Sequence, residues 1–508
     1  MRSITSGVWF YLLIGIALSV TDSGLQALTN PLHNPYSALR LFADLPDHRL
    51  EIEKLFAGDS SSVPATRFGW YSENAAGAWR LPFEPASIRQ HLFYTGGHQR
   101  LSQRQTIAGL FIVRNQHCGD KQWVHNRSPY SGVPYLLADS TTGGFDLTGF
   151  LWEINHSWRF NPRFALSTTL FYNVDEQMKT VFPKPQIKHR DIAGHGRLIA
   201  EDHRIGKAVW SIGYFDFQEI LITTPYSLDQ DQSVRFILIR GLDLPIPSSG
   251  ETSKERLQAQ QAVFTGLGWS SPSQRLFESN LQLIWEQGGT QLQDGTLTML
   301  SQGKLRSRRL CYQAGIGWNI DHRNRLTLDS DGQLYEQIGK LPHLTITAYR
   351  HRIRFLGGRL AWRLHSEDRL YLTVLIEYGS QTLLRTDLEK GILDYFPADY
   401  SGCGLQYEFS WPGGHQLTLS ARTRSLINRP GAVFTERAEM YYHTVTLQEE
   451  KWYQSDKMHW QLTARLLTAP RYGYCYGIEI QADRWFNQRQ SFQRSDLLTC
   501  DLFVTKSN

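Results

Sequence analysis

The chain has 508 residues and a formal net charge of +5, from 53 Lys and Arg against 48 Asp and Glu. Aromatic residues reach 12%, with 15 Trp, 23 Tyr and 25 Phe, yet the mean hydropathy is only −0.38. This excludes a helical membrane protein, which needs long apolar runs, and intrinsic disorder, which is aromatic-poor; the small, dispersed charge argues against nucleic acid as a partner. Many aromatics in a hydrophilic chain suit a transmembrane β-barrel, where only alternate residues meet lipid.

Arg2 precedes an apolar run from Val8 to Val20, and Leu25-Gln26-Ala27 offers a small residue for cleavage. This is the layout of a secretory signal peptide over residues 1–27, and the run is too short for a membrane anchor. Residues 28–48, with Pro31, Pro35 and Pro46, read as an irregular periplasmic lead-in. It is too short for a plug domain, which argues against a complete TonB-dependent receptor. Residues 49–508 read as one barrel domain.

Period-two alternation marks the strands. Leu370, Leu372, Val374, Ile376 and Tyr378 share one face of 370–378, and in Trp460–Leu466 Trp, Leu, Ala and Leu oppose Gln, Thr and Arg. Strands are predicted near 49–57, 89–100, 105–116, 147–160, 164–177 and 193–203. They continue at 208–220, 261–270, 274–288, 306–319, 324–337 and 350–365, then at 369–381, 403–411, 415–426, 457–468, 472–486 and 497–506. That makes about eighteen, within a range of sixteen to twenty. Tight links, such as Asn161–Arg163 and Asp321–Arg323, alternate with long polar excursions at 58–88, 117–146, 178–192, 222–260, 289–304, 338–349, 382–402, 427–456 and 487–496. Outer-membrane barrels alternate short periplasmic turns with long extracellular loops in this way. Val234–Arg240 and Ala438–Thr446 also look strand-like and are assigned to hairpins within the excursions 222–260 and 427–456.

Arg350, Arg352 and Arg354 lie at spacing two, so they share one strand face. Lipid-facing Arg is costly at the midplane, which predicts a row facing the lumen or lying near the mouth. It fits an anion-attracting stripe or a structural ladder paired with lumenal carboxylates; the ladder is the commoner use. His189, His195 and His203, with Asp191, Glu201 and Asp202, offer a rim group for a lipid- or peptide-directed enzyme. No GxSxG, HExxH, P-loop or EF-hand pattern accompanies them, so no catalytic residue is assigned and an enzyme is not expected. Trp152, Trp158, Trp210, Trp285, Trp362, Trp460 and Trp485 fit interfacial girdles better than sugar-stacking platforms. Cys118, Cys311, Cys403, Cys475 and Cys500 are scattered without metal-ligand spacing, so neither a metal nor another cofactor is indicated. Asn126-Arg127-Ser128 matches a glycosylation sequon but has no meaning in a bacterial setting.

The stretch Trp123…Ser128-Pro129-Tyr130-Ser-Gly-Val-Pro134-Tyr135-Leu-Leu-Ala-Asp139-Ser-Thr-Thr-Gly143-Gly144 resembles a loop in an uncharacterised family of Bacteroidota outer-membrane β-barrel proteins. In that family a Trp precedes Pro-Tyr, Ala-Asp and a Gly pair before the next strand. Chain length and strand order are similar over nearly the whole mature sequence. The resemblance implies a bacterial outer-membrane location and a role in nutrient uptake beside a TonB-dependent receptor and a small surface lipoprotein. It carries over no catalytic or binding residue. On physical grounds Pro129 and Pro134 stiffen the loop, and Gly143-Gly144 allow a tight turn into the strand. Three functions follow: solute passage alone or with a receptor complex, a surface scaffold with a closed lumen, or the rim enzyme. Outer-membrane lipids are the one partner common to all three.

Overall fold

The computed structural model describes residues 65–507, apart from 78–80, 125, 127–132, 182–183, 224–235, 241–243, 249–253, 273–275, 296–299, 322, 341–346, 367–369, 389–390, 412–414, 430, 435–446, 469–473 and 488–489. The wall begins with β1 (Ala65–Gly77), β2 (Ser87–Ser102), β3 (Gln105–Val124), β4 (Tyr135–Asn161), β5 (Phe164–Lys179), β6 (Gln186–Asp202) and β7 (Gly206–Thr223). A hairpin of β8 (Phe236–Arg240) and β9 (Leu244–Ser248) follows. The wall resumes with β10 (Lys254–Ser270), β11 (Phe277–Gly295), β12 (Leu300–Asn319), β13 (Asn324–Lys340), β14 (Thr347–Ser366), β15 (Leu370–Asp387), β16 (Ile392–Ser410) and β17 (Gln416–Asn428). After the short β18 (Ala432–Phe434) and helix α1 (Leu447–Gln454), it ends with β19 (Lys457–Leu467), β20 (Tyr474–Asn487) and β21 (Gln490–Ser507).

Each wall strand pairs antiparallel with its neighbour; β7 pairs with β10 and β17 with β19, leaving the hairpin and α1 as inserts. β1 pairs with β21 from Ala65↔Ser507 to Gly77↔Ser495, closing a single barrel of eighteen strands. The count matches the alternation, but the first strand does not: β1 lies inside the predicted excursion 58–88, and 49–57 falls outside the described residues. The reason is local. Gly69 carries no side chain because the Tyr94 ring lies 2.1 Å from where its Cβ would be, and Ala75 and Ala76 weaken the apolar signal further along.

The alternation becomes an outside and an inside. Ile376 and Tyr378 are 56% and 59% exposed on the outer wall, while Glu377 between them is 4% exposed in the lumen. Leu267, Leu328, Leu405 and Leu462 likewise face out, and Asn155, Ser167, Asn173, Ser307 and Gln337 are buried inside. An apolar exterior around a polar interior is the arrangement of a transmembrane barrel. Trp158, Trp210, Trp318 and Trp362 face out near the short-turn end, where Trp318 stacks on Phe277 at 5.8 Å, as a girdle requires.

Side chains fix the tight turns. Asn161 Oδ1 accepts from the Arg163 and Phe164 amides at 2.8 and 2.9 Å, and Asp321 Oδ1 accepts from Arg323 and Asn324 at 2.7 Å each. Asp202 does the same with the Arg204 amide at 2.8 Å, and that donor holds its carboxyl below the usual range. Gly206, at φ +104°, has Ser270 O 2.0 Å from its missing Cβ, so both its conformation and its space demand glycine.

At the opposite end the strands overrun the membrane. β3, β12 and β14 have 20 residues each and β4 has 27, well beyond the 9–11 that cross. Much of the predicted excursions 117–146, 178–192 and 289–304 is therefore paired strand. The outer face turns polar there while Phe145, Ile187, Leu292 and Leu305 are buried on the inner one, so the lipid-facing half of the pattern fades while backbone pairing continues. The predicted hairpin at 234–240 exists as β8–β9, with β8 pairing to the start of β4. The second, at 438–446, lies outside the described residues. The same excursion also contributes α1, with Glu449 and Glu450 in the first turn and Lys451 in the last, as the helix dipole favours.

Depth should govern substitution cost on the outer wall. Ile376→Arg, in the apolar band, is expected to destabilise the barrel by about 2–4 kcal/mol, and Thr386→Arg, beyond it, by about 1 kcal/mol or less. Urea unfolding in lipid vesicles measures both, and equal costs would contradict this membrane placement.

Candidate functional site at the long-loop mouth

Three inserts meet over the long-loop end of the lumen. The first runs from β3 into β4 and contains the Trp123–Gly144 motif. Pairing between these strands is irregular at Cys118/Lys121 and Lys121/Trp123, and Asp120 takes a positive φ of 51°. Beyond this kink the segment turns inward. Lys121 Nζ donates to Asn126 O at 2.9 Å, and Asn126 Nδ2 donates to Glu219 Oε1 of β7 at 3.0 Å. Val133 then packs against Leu292, Leu305, Ala348 and Tyr349 of β11, β12 and β14, across the lumen from its own strands, and is 4% exposed. Asn126 is 3% exposed, which gives it a structural role in place of the sequon.

Asp139 anchors the return of this insert. Lys179 Nζ donates to both its carboxylate oxygens at 2.8 Å and to Thr141 Oγ1 at 2.6 Å. Their side chains are 2% and 0% exposed, so each charge depends on the other. Gly143 makes room for this pair: a Cβ there would lie 3.0 Å from Lys179 Cε and 2.3 Å from Val181 Cγ2. Gly143 and Gly144 sit inside continuous β4, so clearance, not the predicted turn, explains them. Trp123 pairs with Asp139 through the backbone, and Tyr135 stands opposite Arg240 of β8. Pro134 is buried; Pro129 and Tyr130 lie outside the described residues.

The second and third inserts meet at β15 and β16. Leu81, from the β1–β2 connection, packs with Leu383, Phe396 and Tyr453 of α1. Arg385 bridges Asp394 and Glu449, both at 2.9 Å, with its guanidinium 5.6 Å from the Tyr453 ring centroid. Burial pushes the Tyr453 phenol well up, so it stays neutral in this packing. Below the inserts the lumen is wetter: the inward-facing Gln282 and Arg363 are exposed. Sequence reading left open whether the mouth is covered, because residue type reveals the length of a loop and not its direction.

The Arg350 row is not lumenal. Arg350, Arg352 and Arg354 share their face with the exposed Leu356, Leu360 and Trp362, whereas Tyr349 and His351 between them are buried inside. The row escapes the cost assumed for it because it stands above the apolar band, toward the mouth, on the outer wall. Its carboxylate partner is also outside: Glu336 Oε1 accepts from Arg350 Nε at 2.8 Å and Arg352 Nη2 at 2.6 Å. The lumenal ladder consists of other residues. Glu377 binds Arg422 Nε at 2.7 Å and Arg424 Nη2 at 2.9 Å, and Arg359 Nη2 binds Asp329 at 2.7 Å. Arg422 and Arg424 show the same spacing of two in the sequence.

The three histidines do not converge. His189 is buried between Asp175 and Asp191, 3.0 Å from each. His195 is six residues further along β6, about 20 Å at strand rise, beside Phe264. His203 is exposed in the β6–β7 turn. Among the described residues no cluster of His, Cys, Asp or Glu could hold a metal ion, and all five cysteines are free.

Residues 58–498 match the family described as "Family of unknown function (DUF6850)". The chain belongs to that family. A DUF6850 barrel thus accounts for nearly the whole described wall. Among curated proteins none matches the sequence. Solved structures of similar shape include the ferric yersiniabactin uptake receptor FyuA from Yersinia pestis, 9% identical at a TM-score of 0.43, covering 88% of this chain and 80% of that one. The FpvAI–pyocin S2 complex is 8% identical at 0.40, covering 86% and 73%. The copper transporter OprC is 8% identical at 0.38, covering 86% and 80%.

In this DUF6850 chain, Asp139→Asn should leave the buried Lys179 ammonium without a counter-charge and loosen the cap by about 3–5 kcal/mol. Gly143→Val should act in the same direction through the Lys179 stem. Faster amide exchange at 133–141 with the rest of the wall unchanged is the expected readout; unchanged exchange would remove Asp139 as the anchor.

Proposed function

We propose that this chain is a bacterial outer-membrane barrel, with its short turns in the periplasm and its long connections outside, sealed on the outer face at rest. In this reading it takes part in nutrient uptake through a receptor complex and does not act as an open pore. The observation that carries the reading is Val133, buried against the far wall from an insert tethered by Asn126 and Asp139. An open pore of eighteen strands would leave its mouth wet. Support for the orientation comes from the strand overhang and long inserts at one end and the Asx-fixed turns at the other. The proposed partner, a TonB-dependent receptor or a small surface lipoprotein, is the one that the sequence resemblance implies.

A second reading, a scaffold that never opens, draws on the pairing of β8 with β4, which extends the sheet past the wall as a surface for another protein. Co-purification of a partner that disappears when 224–253 is shortened, with the barrel intact, would favour it. Planar-bilayer recording tests the seal. Wild-type protein is expected to pass no steady current, and Val133→Asp, which places a charge in the apolar contact, is expected to give discrete openings. Steady wild-type conductance would overturn the sealed reading, and a silent Val133→Asp would move the block below the cap.

A further inference from the structure

The displaced arginine row belongs to a larger basic surface. Register across β12, β13 and β14 sets outward-facing residues side by side: Leu310, Leu334 and Arg354; Arg308, Glu336 and Arg352; Arg306, Ile338 and Arg350. One step further from the membrane, Lys304 pairs with Lys340. Seven cations therefore share this face with a single carboxylate, Glu336. Glu336 engages Arg350 and Arg352, while Lys304, Arg306, Arg308, Lys340 and Arg354 are exposed and pair with no carboxylate among the described residues.

The height of this surface identifies what meets it. Leu310 and Leu334, level with Arg354 at the lower edge of this surface, and Leu356 below it are 41%, 42% and 52% exposed. From Leu326 to Leu334 β13 spans nine residues, enough to cross the hydrocarbon at the usual tilt, with Trp318 and Trp362 flanking Leu326. The cations thus stand at the headgroup level of the leaflet on the long-loop side. They cover an area about 10 Å wide across three strands and about 20 Å long along the strands. At the same level on β5, β6 and β7 the charges balance: Glu176 and Lys188 stand opposite each other, and Arg190 pairs with Asp216 at 3.1 Å. On β3 and β4, His117 meets Asp146 at 2.6 Å. Compared with those five strands, β12–β14 carries an unbalanced positive charge.

We propose that the outer wall of β12–β14 is a binding site for a membrane-lipid headgroup carrying more than one phosphate. Glu336 holds Arg350 and Arg352 in place; Arg306, Arg308 and Arg354 supply the guanidinium forks that suit phosphate oxygens, and the leucines below take the acyl chains. The site rests on the membrane placement above but not on the cap or on uptake, and its residues play no part in the conductance test.

The experiment uses the full-length mature barrel in detergent, titrated with a bisphosphorylated diglucosamine lipid, its phosphate-free form and inorganic phosphate, and read by native mass spectrometry. Tenfold or more weaker binding is expected for the phosphate-free lipid and for the triple variant Arg306→Gln, Arg308→Gln, Arg354→Gln. The pair Lys188→Gln, Arg190→Gln on β6 should bind as wild type, and heat-modifiable gel migration checks that every variant is folded. Equal affinity for the two lipids, or a folded triple variant that binds normally, would overturn the proposal. Displacement of the lipid by millimolar inorganic phosphate would also overturn it, by making this a free-phosphate site.

Discussion

Closure between β1 and β21 is the constraint on which the rest of this molecule depends. Hydrocarbon offers no water to an unpaired amide or carbonyl, so a sheet can stand in it only if its first and last strands meet. Every wall strand then inherits the same division of its side chains, one row to lipid and one to the lumen. The aromatic-rich but hydrophilic composition is the direct result. Trp, Phe and Leu occupy the outward row, and the inward row takes the Asn, Ser, Thr and Gln residues that pull the average hydropathy down.

A polar lumen has its own requirement. Charges turned inward are far from bulk water, and each needs a counter-charge within reach. Glu377 serves two arginines from β17, Asp329 serves one from β14, and Asp175 is shared by Arg114 and His189. These links join neighbouring or next-neighbouring strands, so they brace the wall from within and leave the channel to be closed from above. The cap works differently, tying strands that are far apart around the circumference. Bracing and sealing are separate tasks, performed by separate sets of residues.

The sequence made the wall legible and the mouth largely illegible. Period two and the tight Asn and Asp turns revealed the strand number and the end at which connections are short. β1 escaped because Gly69, cleared for Tyr94, and the run of small residues after it interrupt the pattern. Spacing two correctly placed Arg350, Arg352 and Arg354 on one face but could not say which face. Of the two places expected for it, the lumen and the mouth, the row takes the second, standing above the midplane depth at which a lipid-facing position would be too costly. The motif around Asp139 was visible as a motif, yet its partner Lys179 lies forty residues away and the wall that receives Val133 lies further still. Such contacts depend on strand order around the barrel, which no local pattern encodes.

Val133 also sets an order of events. Its contacts belong to β11, β12 and β14, more than 150 residues downstream. The Lys179–Asp139 pair, in contrast, forms as soon as β4 and β5 have joined. The insert can therefore be tethered by neighbouring strands alone, but it is seated only once β11, β12 and β14 are also in place. Until then the growing sheet is a trough with an unoccupied shelf, and seating the insert is a late step of assembly.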